Sequence, residues 1–203
     1  MRSRWTTLGA LGMAGAITGC GAASSGGAAR VPQGELEQYF VGTQTFVLPD
    51  GTEVQRNTLV AHRTLQPDAH AILEEVIERD ADGAVETHAI RLDVDATDRH
   101  FVLSAPGGMM SGEGELTGDA WQWTAWHAET RLPDGMRVVT DDALTDTELR
   151  GESRVLGADG NTEVIIRHVL TRVARERWEQ ERAAMQEGAR SGDDAAAASE
   201  PPQ

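Results

Sequence analysis

Trp121, Trp123 and His127 share parity on one predicted strand, with Ala125 between them. If that face points inward, two indoles and an imidazole line an interior near one end. Aromatic walls carrying a few polar groups are what small-molecule pockets look like. The same tryptophans serve equally as plain core fill, while Trp126 falls on the opposite face, under a C-terminal helix. Arg63 alternates with Leu59, Ala61 and Leu65, and Arg167 lies between Ile165 and Val169. An inward arginine can grip a ligand carboxylate with two parallel N–H bonds. It can also pair with an internal glutamate such as Glu75, or lay its stem on apolar surface and keep its head in water. Trp121, Trp123, His127, Arg63 and Arg167 are therefore the candidate ligand-binding set.

Other chemistries find less support. His62, His70, His88, His100, His127 and His168 are scattered singly, without the close pairing of strand or helix chelates, so no metal is expected. The run Asp93-Val94-Asp95-Ala96-Thr97-Asp98 lacks the glycine and glutamate that a calcium loop needs at its sixth and twelfth positions, where Asp98 and Ser104 stand. It reads as a solvated turn. Gly107 to Gly114 is glycine-rich but matches neither a phosphate loop nor a nucleophile elbow, and is expected to form a hairpin loop at a barrel mouth. All 18 basic side chains are arginine, which removes Schiff-base chemistry and a phosphate-loop lysine. No catalytic residue and no cofactor are expected, and an enzyme ranks third among the readings, with His127 and Glu129 as the side chains to probe.

The one cysteine is Cys20. Ahead of it, Arg2 and Arg4 precede an uncharged stretch from Trp5 to Ile17, the pattern of a secretory leader and too short to span a bilayer. Ile17-Thr18-Gly19-Cys20 resembles the lipobox of bacterial lipoprotein precursors. The resemblance implies cleavage before Cys20 and a diacylglycerol thioether on its sulfur, an anchor of two chains. An exported protein tethered to the cell envelope is expected. Gly21 is not the Asp associated with inner-membrane retention, which favours the outer membrane in a Gram-negative host. The chain carries 33 acidic residues and a net charge of −15, so nucleic acid and anionic lipid surfaces repel it.

Four stretches follow: a leader over 1–19, a Gly/Ala/Ser tether over 20–35, a domain over 36–187, and an Ala- and Asp-rich tail over 188–203 expected to be disordered. Within the domain, Asp-Gly recurs at Asp50-Gly51, Asp82-Gly83, Asp134-Gly135 and Asp159-Gly160. This dipeptide favours two-residue hairpins, where both positions take positive φ. Strands are expected near 38–48, 53–65, 70–79, 85–94, 99–104, 112–117, 120–131, 136–141, 144–155 and 162–173. Val173 to Glu187 is expected to be helical, with Ala174, Trp178 and Met185 as a narrow apolar stripe and Gly188 as its end. About ten strands in meander order close into an up-and-down barrel to remove their edges, or form an open half-barrel against the helix.

The opening Tyr39-Phe40-Val41-Gly42-Thr43, the repeated Asp-Gly hairpins and the succession of short strands over 36–173 resemble the lipocalin-like or calycin group. Gly42 is followed by Thr43-Gln44 where lipocalins have Gly-x-Trp. The resemblance implies a cavity for a small ligand. Haem, as in nitrobindins, would require an axial histidine, with His168 the residue to name. The leading expectation is a non-enzymatic, membrane-tethered barrel that binds a small, partly apolar or anionic ligand. The alternative is an envelope interaction protein with a filled barrel, its protein partner unknown.

Overall fold

A computed structural model describes residues 36–95, 99–104, 111–119, 121–132 and 135–197. Cys20, the leader and the tether lie outside the described residues, as do parts of the Asp93–Asp98 and Gly107–Gly114 runs.

Among the described residues there are ten strands: β1 (Glu37–Val47), β2 (Glu53–Gln66), β3 (Ala71–Arg79), β4 (Val85–Asp95), β5 (His100–Ser104), β6 (Ser111–Asp119), β7 (Gln122–Arg131), β8 (Arg137–Leu144), β9 (Glu148–Leu156) and β10 (Thr162–Val173). Each pairs antiparallel with its sequence neighbour, and β1 pairs with β10, so the sheet is a closed barrel rather than an open half-barrel. Closure satisfies the backbone donors and acceptors that an edge strand would leave bare.

The hairpins are tighter in plan than in length. Four of them, joining β1–β2, β3–β4, β7–β8 and β9–β10, share one hydrogen-bond pattern. The residue that opens the loop accepts from the glycine three positions on and donates to the residue one further. Gly51, Gly83, Gly135 and Gly160 take positive φ, whereas Asp50, Asp82 and Asp159 do not. These are three-residue loops ending on a left-handed glycine, not the two-residue turns that Asp-Gly favours. All four sit at the same end of the barrel.

Helix α1 (Arg175–Ala197) lies outside the barrel, across β1 and β2. Trp178 and Met185, two turns apart, are buried against Tyr39, Val60 and Ile77, whereas Ala174 is exposed and outside the stripe. Tyr39 and His62 stack at 4.6 Å, and the Trp178 ring tilts onto both at 5.4 Å. Burying two such side chains is worth roughly 1.5–3 kcal/mol each, ample to dock a helix with so narrow an apolar face. The helix runs through Gly188 to Ala197. One interior glycine costs only about 1 kcal/mol, and the alanines beyond it favour continuation.

Ten strands enclose a wider lumen than the eight that side chains just fill, so this interior needs large residues. It has them: Arg63, Phe40, Phe46 and Phe101 are all fully buried. Packing leaves little slack. A Cβ on Gly151 would collide with the Asp142 carboxylate and the His168 ring, and one on Gly114 with the Phe101 ring. Gly151→Ala is expected to lower stability by about 1–3 kcal/mol, the usual cost of forcing bulk into a packed core. Urea unfolding measures it, and an unchanged midpoint would show the lumen to be looser than its contacts indicate.

Candidate functional site

The side chains that fill the lumen follow from strand register. One inward row crosses the sheet through directly paired residues: Asn57, Gln44, His168, Gly151, Asp142 and Trp126. Five strands of polar or glycine positions thus meet an indole. On the β1–β2–β3 side, nearer the end from which the helix leaves, Gln38, Arg63 and Glu74 form a second row.

Arg63 Nε and Nη2 both donate to Glu74 Oε2, at 2.9 and 2.6 Å, with both side chains within 2% of complete burial. The guanidinium also reaches across the lumen. β2 and β7 are five strands apart in either direction round the ring, yet Arg63 Cζ lies 5.0 Å from the Trp123 ring centre and 5.9 Å from that of Trp126. Phe40 approaches from a third side at 5.7 Å. Trp123 and Trp126 stack at 5.4 Å, and Phe101 continues the stack at 5.3 Å. A cation held over indole faces and away from water gains about 2 kcal/mol or more.

Trp126 is inside because β7 carries a bulge. Gly118 pairs with Trp123 and Thr117 with Ala125, leaving Thr124 unopposed. The extra residue shifts the alternation by one. Upstream of it Trp123 points inward; downstream, Trp126, Ala128 and Thr130 do. Parity alone had placed His127 with the tryptophans and Trp126 under the helix, and the bulge reverses both. His127 is on the outer wall with its side chain 57% exposed, and its Nδ1 is 2.7 Å from Asp141 Oδ1. Arg167 is also outside, bound to Glu152 at 3.0 Å. Glu75 faces outward towards Arg182 at 3.5 Å, so the internal partner of Arg63 is its neighbour Glu74. Of the five candidate ligand-binding residues, Trp121, Trp123 and Arg63 are buried together in one apolar cluster or against it, and the other two are elsewhere.

His168 is fully buried, and its Nε2 lies 3.2 Å from Asp142 Oδ1, an ion contact without hydrogen-bond alignment. Burial pushes the imidazole's pKa down, but the Asp142 carboxylate and the more distant Glu74 outweigh it and hold the value above the ordinary one. With His168 protonated, the charges of Arg63, Glu74, Asp142 and His168 balance. Glu78 shares the interior. Asn57 Nδ2 donates to its Oε1, while its Oε2 has no partner. Burial pushes this carboxyl up to about 7.

Round the guanidinium, three buried donors, Arg63 Nη1, Trp123 Nε1 and Trp126 Nε1, have no hydrogen-bond partner among the described residues, and the two nitrogens of His168 deeper in the lumen have none either. An unmade bond at a buried donor costs about 1–3 kcal/mol, a cost that an acceptor brought against it removes. Among the described residues no group of three or more His, Cys, Asp or Glu side chains is placed to hold a metal ion.

No protein-family model and no curated protein sequence matches the chain. Solved structures align with parts of the chain. A DUF3598-family protein of unknown function from Nostoc punctiforme aligns over 70% of this chain at 11% identity and a TM-score of 0.49; the alignment spans about half (49%) of that protein. The S-type phycobiliprotein lyase of Guillardia theta aligns over 66% of this chain and 85% of its own at 11% identity, TM-score 0.48. A bovine odorant-binding protein aligns over 75% and 86% at 10% identity, TM-score 0.34. These likenesses concern strand arrangement, and no residue role is taken from them.

The interior carboxyl and imidazole set the pH response. Folded Glu78 keeps its proton from about 4.5 to about 7, where the unfolded chain has lost it, so its contribution to stability falls as pH rises through that window. The shift corresponds to roughly 3 kcal/mol at 1.36 kcal/mol per unit. His168 acts in the same direction, its contribution being complete below the unfolded pKa and lost as pH rises through the raised folded one. Urea unfolding at pH 5 and pH 8 is expected to show a decline that shrinks in Glu78→Gln. Equal declines in both proteins would remove Glu78 from this role.

Proposed function

We propose that this is a non-catalytic binding barrel that takes a small, partly apolar molecule carrying a hydrogen-bond acceptor. The observation behind this reading is the trio of partnerless buried donors, Arg63 Nη1, Trp123 Nε1 and Trp126 Nε1, gathered round one guanidinium. A carboxylate or carbonyl oxygen supplies the acceptor they lack, and the Phe40, Phe101 and indole surfaces suit an apolar body. Arg63 is already neutralised by Glu74, so a neutral acceptor is as acceptable here as an anion.

A filled barrel acting through its surface is the second reading. Fully buried bulky side chains and glycines without room for a Cβ favour it. On that reading ordered water meets the three donors.

Export and tethering belong to the proposal as well. They rest on the Ile17-Thr18-Gly19-Cys20 motif behind a charged, apolar leader, in a chain whose acidity leaves it no basic patch for membrane attraction.

Native mass spectrometry of protein purified gently from its host is expected to show a stoichiometric small adduct lost on denaturation, and decanoate is expected to change tryptophan fluorescence saturably. Trp123→Phe keeps a ring but removes one donor, and should weaken decanoate about tenfold. A bare mass together with silence towards decanoate would leave the filled barrel. For the anchor, labelled palmitate should enter the wild-type chain and not Cys20→Ala, which should partition with soluble protein; equal labelling of both would end the lipoprotein reading.

A further inference from the structure

Outside the barrel, a groove runs between α1 and the outer faces of β1, β2 and β3, then opens over the β3–β4 hairpin, with volumes of about 220 and 440 Å³ in its two parts. Thr43, Thr58 and Arg79 line both parts. They form one register row, Thr43 opposite Thr58 and Thr58 opposite Arg79. Directly paired strand residues have Cβ atoms about 5 Å apart, so an arginine can lean its guanidinium over the next hydroxyl in the row. Val41 and Val60 on the strands and Met185 on the helix give the groove an apolar floor, and Glu181 lines the helix side beside them.

The charges of this groove are paired off, with one exception. Arg56 binds Glu53 through two N–H bonds at 3.1 and 2.9 Å. Glu181 lies 3.8 Å from Arg177. Asp80 Oδ1 accepts from the backbone N–H groups of Asp82 and Ala84, both at 2.9 Å. Arg79 is half-buried, and among the described residues its guanidinium has no hydrogen bond or ion pair. The hydroxyls of Thr43 and Thr58 are likewise uncommitted among the described residues. In a chain with 33 acidic side chains to 18 arginines, a half-buried arginine without a carboxylate partner is an open anion position.

We propose that this groove is a second binding site, for a phosphate group borne on an alkyl chain. The Arg79 fork meets two phosphate oxygens, the Thr58 and Thr43 hydroxyls donate to the remaining ones, and the alkyl chain lies along Val41, Val60 and Met185. A planar fork with flanking hydroxyls suits the several acceptor oxygens of phosphate better than a single carbonyl. Arg79, Thr58, Thr43, Val41, Val60 and Met185 all lie outside the lumen, so the two proposals stand or fall separately.

The test is calorimetry on the full chain with two probes, inorganic phosphate and dodecyl phosphate below its micelle concentration. Dodecyl phosphate is expected to bind at least tenfold more tightly than phosphate, because only it uses the apolar floor. Arg79→Gln should weaken dodecyl phosphate tenfold or more, Thr58→Val severalfold, and Arg79→Lys should fall between wild type and Arg79→Gln. Arg56→Gln, whose guanidinium is already taken by Glu53, should bind within twofold of wild type. An unchanged melting temperature in Arg79→Gln separates lost binding from lost folding. Equal affinities for the two probes, both lost in Arg79→Gln, would keep the phosphate site and remove the alkyl part. Silence towards both probes, or unchanged binding by Arg79→Gln, would overturn the site, even where decanoate still reports on the lumen.

Discussion

Arg63 and Glu74 are paired neighbours on β2 and β3, both buried inside the lumen, and the rest of the interior is arranged round them. An ion pair taken out of water is stable only when geometry and further contacts offset its desolvation. Glu74 accepts two of the guanidinium's N–H groups, while Trp123, Trp126 and Phe40 present ring faces to it. Those rings come from the opposite wall and from the neighbouring strand, so the guanidinium ties β2 to β7 across the axis. A lumen wider than that of an eight-stranded barrel is closed by one long side chain laid across it.

The same interaction explains why the polar residues of the lumen are not scattered. Once Arg63 and Glu74 occupy the region near the helix-side end, Asp142 and His168 balance each other deeper in the lumen, in the row of Asn57 and Gln44, and Gly151 gives them room. Beyond them Phe46, Val138, Val155, Val164 and Ile166 pack beneath the four glycine hairpins, together with the buried Thr140–Ser153 hydrogen bond and Glu78. The leftover donors lie towards the other end. The outer wall has its own asymmetry: Tyr39, Val60 and Ile77 on β1 to β3 are buried under α1, and the groove lies where that cover ends.

Much of the fold was legible along the chain. Ten strand positions and the meander order follow from Asp-Gly spacing and short β-rich runs, and the helix from an unbroken stretch after Val173. The site was legible in part. Arg63, in phase with Leu59, Ala61 and Leu65, is inward, and so are Trp121 and Trp123. Glu74 could be seen in phase with Ile72 and Val76, but Leu73 and Ile77 alternate with them just as well. On a strand buried from both sides, parity cannot distinguish lumen from helix interface. For that reason Glu75 and Glu74 exchange roles between sequence and structure.

Local sequence determined what depends on neighbours along the chain: where strands run, where glycine must turn the backbone, and the absence of lysine and of paired metal ligands. Tertiary structure decided what depends on the far side of the barrel. The bulge at Thr124 arises from how β6 and β7 fit together, and it moves Trp126 inward and His127 outward. The contacts of Arg63 with the indoles, and of His168 with Asp142, join residues 60 or more and 26 positions apart in the chain, respectively. Side-chain alternation has a range of a few residues, whereas closure of a ring couples strands half a circumference apart. Which polar groups meet inside is therefore fixed only when the barrel closes.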